Sequence, residues 1–301
     1  MVVPSGDQYE IAAAGYAAVV TESGGALRSL THHGRDLVDG FGAHEMSTGC
    51  RGQLLMPWPN RIRDGRYSFG GTDHQLGLTD PGHGNASHGL ARWASWTLEE
   101  HTRTSVSLVY RVAAQSGYPW TLDLHVRYDL SANGLVVTQT ATNLADSPAP
   151  YASGAHPYLR VGDGIEDLEL TLPARTRVLV DDRLLPTGTE PVAGPYDFTS
   201  PRRIGDVRLD TAYGSLDHRE GRATVVLRDP ASGHGVELWA DEHHHWLQVF
   251  TPPSDGPRPG IAVEPMTAPA DAFNSGTDLV TLAPGGTAGD ELSVSWGIQA
   301  V

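Results

Sequence analysis

The chain contains no lysine; all 21 of its positive charges are arginine. This removes Schiff-base chemistry, which needs a lysine amine, and the P-loop, whose lysine reaches the phosphates. There is one cysteine, Cys50. No intramolecular disulfide can form, so an oxidising compartment is not required, and the lone thiol reads as a small buried hydrophobe. Positive charge is scarce against 36 acidic side chains, leaving a formal net charge of -15. Such a surface repels phosphate backbones and anionic lipid. We therefore expect no nucleic-acid partner and no membrane partner, and a strongly anionic substrate is disfavoured. No stretch approaches the roughly 20 apolar residues of a membrane helix. The N-terminal MVVPSGDQYEIAA lacks the basic-then-apolar order of a signal peptide, so a cytoplasmic location is expected by elimination. No GxGxxG stands between a strand and a helix, which leaves a dinucleotide cofactor unsupported.

Helical periodicity is also missing: no window of twelve residues carries an i, i+3, i+4 apolar stripe. Strand patterning fills the chain instead. Ser105 to Val112, Trp120 to Leu130 and Gly134 to Leu144 alternate apolar and polar residues and predict an antiparallel meander, with turns at Ser116-Gly117 and Ala132-Asn133-Gly134. Asp64-Gly65 predicts a tight hairpin joining Arg61-Ile62-Arg63 to Arg66-Tyr67-Ser68-Phe69, because the turn needs positive φ. Further strands are predicted at Leu168 to Leu172, Arg177 to Val180, Ala223 to Arg228, Val236 to Ala240, Trp246 to Thr251, Ile261 to Met266 and Glu291 to Ile298. The 35 glycines and 21 prolines are spread along the chain, as many short strands require. The expected fold is all-β: a large single-domain antiparallel β-sandwich over residues 1–301.

Four polar clusters interrupt this pattern. In Trp58-Pro59-Asn60-Arg61-Ile62 the arginine offers a fork of donors to hydroxyl or carboxylate oxygens; a structural ion pair is the competing reading. In Gly84-Asn85-Ala86-Ser87-His88-Gly89-Leu90 glycines let backbone approach a ligand at the histidine. Asp80 and His83 lie close in sequence, but the spacing matches no metal motif and no cysteine accompanies them, so no metal is expected. In Ser153-Gly154-Ala155-His156-Pro157-Tyr158 the histidine is held extended by the following proline, and imidazole can give or take a proton near neutral pH; a structural histidine bonded to backbone is the competing reading. In Ile261-Ala262-Val263-Glu264-Pro265-Met266 a carboxylate sits in an apolar strand. Burial there raises its pKa toward the range of a general base; a Glu-Arg pair is the alternative. His243-His244-His245 reads as a solvated loop, since consecutive strand residues face opposite ways.

These segments together resemble the aldose 1-epimerase (galactose mutarotase) family, in particular its bacterial mutarotase-like branch. The stretches NRIRDGRYSFGG, NASHGLARWASW, SGAHPYL, LQVFT and AVEPMTAPADAFNSG carry the resemblance, in that order over nearly the whole chain. GGALRSLTHHGRDLV is similar to the family's N-terminal hairpin. The resemblance implies the galactose mutarotase-like supersandwich, no cofactor, and a small-molecule sugar as partner of a monomer or homodimer. It implies Glu264 as general base and His156 as general acid in exchanging sugar anomers. Arg61, His88, Asp210 and Gln248 are implied as substrate-binding residues, with Asp217 a rival for Asp210. Trp58, Trp93 or Tyr158 could supply an apolar face to the sugar. The alternatives are a hexose-6-phosphate mutarotase and a non-catalytic sugar-binding module. A glycoside hydrolase ranks below both, since it needs two carboxylates across the bond.

Overall fold

The computed structural model describes residues 3–254 and 256–301. The alternating segments form antiparallel ladders in which successive side chains face opposite sides. The predicted meander is present: Ser105–Val112 pairs with Leu122–Ser131, which pairs with Gly134–Asn143. This meander joins Glu291–Ala300, Gly235–Asp241 and Arg222–Arg228 in a nine-stranded sheet. A six-stranded sheet runs in the order Tyr158–Leu159, Ile261–Met266, Trp246–Phe250, Asp210–Leu216, Ala174–Val180, Pro186–Pro191. A four-stranded sheet, Gln8–Ala13 through Arg35–Asp36, holds the N-terminal hairpin. Helical structure among the described residues is one α-turn, Ala272–Ser275, and one 3-10 turn, Gly194–Tyr196.

The three larger sheets contribute to one apolar cluster, with Ile11, Leu124, Trp296, Leu247 and Val263 among its members. Trp296 anchors it: the ring is 1% exposed, and its Nε1 donates to Gln139 Oε1 at 2.7 Å. Gln139 Nε2 in turn donates to Ser153 Oγ and the Gly154 carbonyl, the backbone just before His156. Trp296→Ala is expected to destabilise the fold by about 3–5 kcal/mol, because it opens a cavity and strips Gln139 of a partner. A lower chemical-denaturation midpoint at unchanged slope is the expected readout.

Two sequence expectations need correction. The Asp64-Gly65 turn forms, with both residues at positive φ and the Gly65 N–H bonded to the Ile62 carbonyl. Its flanking segments do not pair with each other. Arg61–Arg63 pairs with Asn85–Ser87, and Arg66–Phe69 pairs with Thr72–Gln75 across Gly70-Gly71. Tertiary partners thus outbid the local hairpin on the Arg61 side. The histidine run is not a wholly solvated loop: His244 is fully buried, with its Nδ1 2.8 Å from Asp241 Oδ1, between exposed His243 and His245.

Candidate active site

The six-stranded sheet has two faces with different tasks. Leu247, Val249, Ile261 and Val263 point into the apolar cluster. Their neighbours Gln248, Phe250, Ala262 and Glu264 therefore project from the opposite face. Register sets them side by side: Gln248 pairs with Glu264, Phe250 with Ala262 and Asp210, and Ala262 with Tyr158. His156 lies two residues before Tyr158, on the segment that enters the sheet edge. Over this face lies a cavity of about 190 Å³. Its walls include Asn60, Arg61, His88, His156, Asp210, Gln248 and Glu264, together with Gly49, Cys50, Tyr158 and Phe250. Glu264, His156, Arg61, His88, Asp210 and Gln248, the residues that the resemblance implied, all line it.

Glu264 and His156 are in contact, Oε1 to Nε2 at 3.3 Å, and are only 2% and 6% exposed. Glu264 Oε2 and His156 Nδ1 are buried without hydrogen-bond partners. Such orphaned polar atoms are destabilising, and they concentrate where a ligand is meant to supply the bond. Burial pushes the Glu264 carboxyl well above the usual carboxylate range; the Asp210 charge adds to this and Arg61 opposes it. Burial also drives the His156 imidazole down to about 3, and the charges of Arg51 and Arg92 add to the fall. Both effects favour the uncharged forms.

A pH consequence follows for His156. Its folded pKa is depressed, so its contribution to stability is present above about 6.5 and is lost as pH falls toward about 3. Wild-type protein is expected to lose more melting temperature over that interval than His156→Gln does. Parallel melting curves against pH for the two proteins would remove this assignment.

Arg61 and His88 come from the two-stranded ladder beside the sheet. The Arg61 Nε is held by Asp80 Oδ2 at 3.0 Å and one terminal nitrogen donates to Asn60 Oδ1 at 3.2 Å. The structural ion pair and the cavity role therefore coexist. His88 sits at φ +61, and its N–H donates to the Asn60 carbonyl at 2.8 Å. The Asn60 N–H donates back to His88 Nδ1 at 3.2 Å. An accepting Nδ1 places the proton of the neutral ring on Nε2. Burial first, then the charges of His156, Arg92 and Arg61, lower the His88 pKa well below 6.5. Gly89 permits the turn: a Cβ there would lie 2.0 Å from the Met56 carbonyl oxygen. Asp271 ties this ladder down, its N–H to the Arg61 carbonyl and its Oδ1 accepting from the Arg63 N–H. The DAFNSG stretch thus serves to hold Arg61.

Gln248 bridges the cavity floor, accepting from Asn60 Nδ2 at 3.3 Å and donating to Asp210 Oδ1. The rival Asp217 lies elsewhere, in an exposed pair with Arg175. Of the aromatic candidates, Trp58 is buried against Tyr118 and Phe273, and Trp93 is half exposed outside the cavity walls. Tyr158 lines the cavity, but it stacks on His156 and carries the Arg51 guanidinium over its ring at 4.8 Å. Phe250 is the aromatic wall that sequence reasoning missed; it lies two residues beyond Gln248 on the same strand face, so period two pointed to it. Cys50 was read as packing, and the structure corrects this. It is half-buried in the cavity wall, with its Sγ accepting from Arg92 at 3.2 Å. Burial pushes its thiol pKa up, Arg92 opposing.

Residues 7–295 match the family model described as aldose 1-epimerase. YihR of Escherichia coli K12, described as an uncharacterized protein, is 34% identical over 284 residues, covering 93% of this chain and 90% of that protein. Galactose mutarotase of Mus musculus is 29% identical over 205 residues, 61% of this chain and 57% of the mouse protein. A galactose mutarotase-like protein of Clostridium acetobutylicum has the same fold, with a TM-score of 0.86 at 18% identity over 97% of this chain and 94% of that one. A GalM/aldose epimerase homologue of C. elegans superposes with a TM-score of 0.85 at 21% identity, over 98% of both chains.

Proposed function

The chain belongs to the aldose 1-epimerase family, and we propose that it interconverts the α and β anomers of a free aldose, with Glu264 as base and His156 as acid. One observation carries the reading. A carboxyl and an imidazole, both buried and 3.3 Å apart, stand in a cavity whose walls also carry hydrogen-bonding groups suited to hydroxyls. The pair as a whole needs one proton. Burial leaves that proton on the carboxyl when the site is empty of sugar; passing it across the Oε1–Nε2 contact yields a carboxylate and an imidazolium. Arg61 favours that allocation at Glu264. Glu264 then takes the proton of the C1 hydroxyl while His156 protonates the ring oxygen. The C1–O5 bond breaks and the open-chain aldehyde forms. Rotation about C1–C2 and reclosure on the other face give the second anomer, with both protons returned. Each transfer of this kind is typically worth about 10²–10⁴ in rate.

Arg61, His88, Asp210 and Gln248 would orient the hydroxyls, and Phe250 would lie against carbon. Asp80 already neutralises Arg61, so this cavity is better matched to an uncharged sugar than to a phosphorylated one. Polarimetry on freshly dissolved α-glucose, α-galactose and glucose 6-phosphate tests the assignment. Faster equilibration of the free sugars is expected; a large preference for the phosphate would overturn it.

A further inference from the structure

We propose that Cys50, His88 and His156 form a binding site for a thiophilic divalent ion of the zinc class, whose occupation silences the acid/base pair by engaging His156. The silencing clause rests on the function proposed above; the binding clause does not.

The three side chains come from separate segments. Cys50 lies in a turn held by the Tyr158 hydroxyl, which donates to the Gly49 carbonyl at 2.9 Å. His88 follows the strand Asn85–Ser87, and His156 precedes Tyr158–Leu159. One ligand atom from each lies within 4.8 Å of the other two. Bonds of about 2.0–2.3 Å in a tetrahedral zinc site place its ligand atoms roughly 3.3–3.8 Å apart. Side-chain adjustments of about an ångström therefore close the site. A thiolate and two imidazoles are a donor set that suits zinc, and three protein ligands leave a fourth position for solvent or a sugar hydroxyl. Independently, His156 is 6% exposed and its Nδ1 has no hydrogen-bond partner, so this buried imidazole has bonding capacity to offer. Arg92, 3.2 Å from Cys50 Sγ, opposes the burial that otherwise favours the neutral thiol, and Asp210 in the same cavity wall adds negative charge that offsets the arginines.

The binding step is balanced by proton release. The Cys50 S–H bond breaks, its proton goes to solvent, and the sulfur electron pair bonds the ion. One contact opposes the site: ligation through His88 Nε2 moves the ring proton to Nδ1 and gives up the Asn60 N–H bond. A reversible, inhibitory ion is therefore expected, not a structural one.

The test titrates the wild-type protein with zinc by calorimetry and with cobalt(II) by absorption. One equivalent of cobalt showing a thiolate-to-metal charge-transfer band is expected. Zinc should stop anomer exchange in proportion to occupancy, and a chelator should restore it. Cys50→Ser should weaken zinc binding at least about a hundredfold, since loss of even an outer-sphere partner costs about 10–100-fold. Each protein is compared with its own zinc-free rate. Cobalt bound without a sulfur band overturns the proposal, because the ion then sits on other histidines; so does equal zinc affinity in Cys50→Ser. The cobalt spectrum needs no variant and stands if the substitution impairs folding. A sulfur band in a protein with no anomer exchange would keep the metal site and sink the proposed function instead.

Discussion

Glu264→Gln is expected to slow anomer exchange by about 10²–10⁴-fold, the usual worth of a positioned general base, with the fold retained. The amide matches the carboxyl in shape and is uncharged, as burial already favours for Glu264 itself. It keeps the backbone register with Gln248. What it lacks is a basic oxygen for the C1 hydroxyl proton. The loss should appear in kcat, because the hydroxyl contacts proposed for Arg61, Asp210 and His88 are left in place in the variant. Polarimetric progress curves give the rate, and a melting curve close to wild type excludes unfolding as the cause. A non-catalytic sugar-binding module predicts something else: no wild-type rate to lose, and unchanged sugar affinity in Glu264→Gln.

His156→Gln is expected to cost a similar factor, since the ring oxygen then loses its proton donor at the moment the C1–O5 bond breaks. The double variant distinguishes a pair from two independent contributors. In the proposed mechanism base and acid act in one concerted exchange, so removing the second after the first should add little; the combined loss should fall well short of the product of the single losses. Full multiplicativity would mean that the two residues assist separate steps. The Oε1–Nε2 contact of 3.3 Å makes coupling the expected result.

Much of the fold was legible because its sheets are half-buried and antiparallel, so one-sided burial writes period two into the strands. Ser105–Val112 and Ile261–Met266 are read with their observed bounds for different reasons: the first alternates, the second is buried on both faces. Short ladders were not legible. Asp64-Gly65 makes its turn, yet Arg61–Arg63 finds its partner more than twenty residues on, at Asn85–Ser87, because Asp271 and the Asn60–His88 exchange hold it there. Nothing local encodes that choice. Glu264 stood out as a carboxylate amid apolar neighbours, a signal that survives without a structure. Asp210 and Asp217 could not be separated by sequence pattern, since one opens and the other follows the same strand; the Gln248 contact and the Arg175 pair are what distinguish their places. The place of Cys50 in the cavity wall was not legible, because His88 and His156, which it meets there, are distant in the chain.

Proton NMR exchange between the two anomers of an aldose at equilibrium tests the central claim most directly, because it sees ring opening and closure without any coupled step. With wild-type protein the exchange rate should rise linearly with protein concentration and saturate with sugar, while an equal concentration of Glu264→Gln leaves it near the buffer rate. Exchange that stays at the buffer rate with wild-type protein across the common aldoses, or that is equally fast with Glu264→Gln, would contradict the assignment of Glu264 and His156 as the acid/base pair.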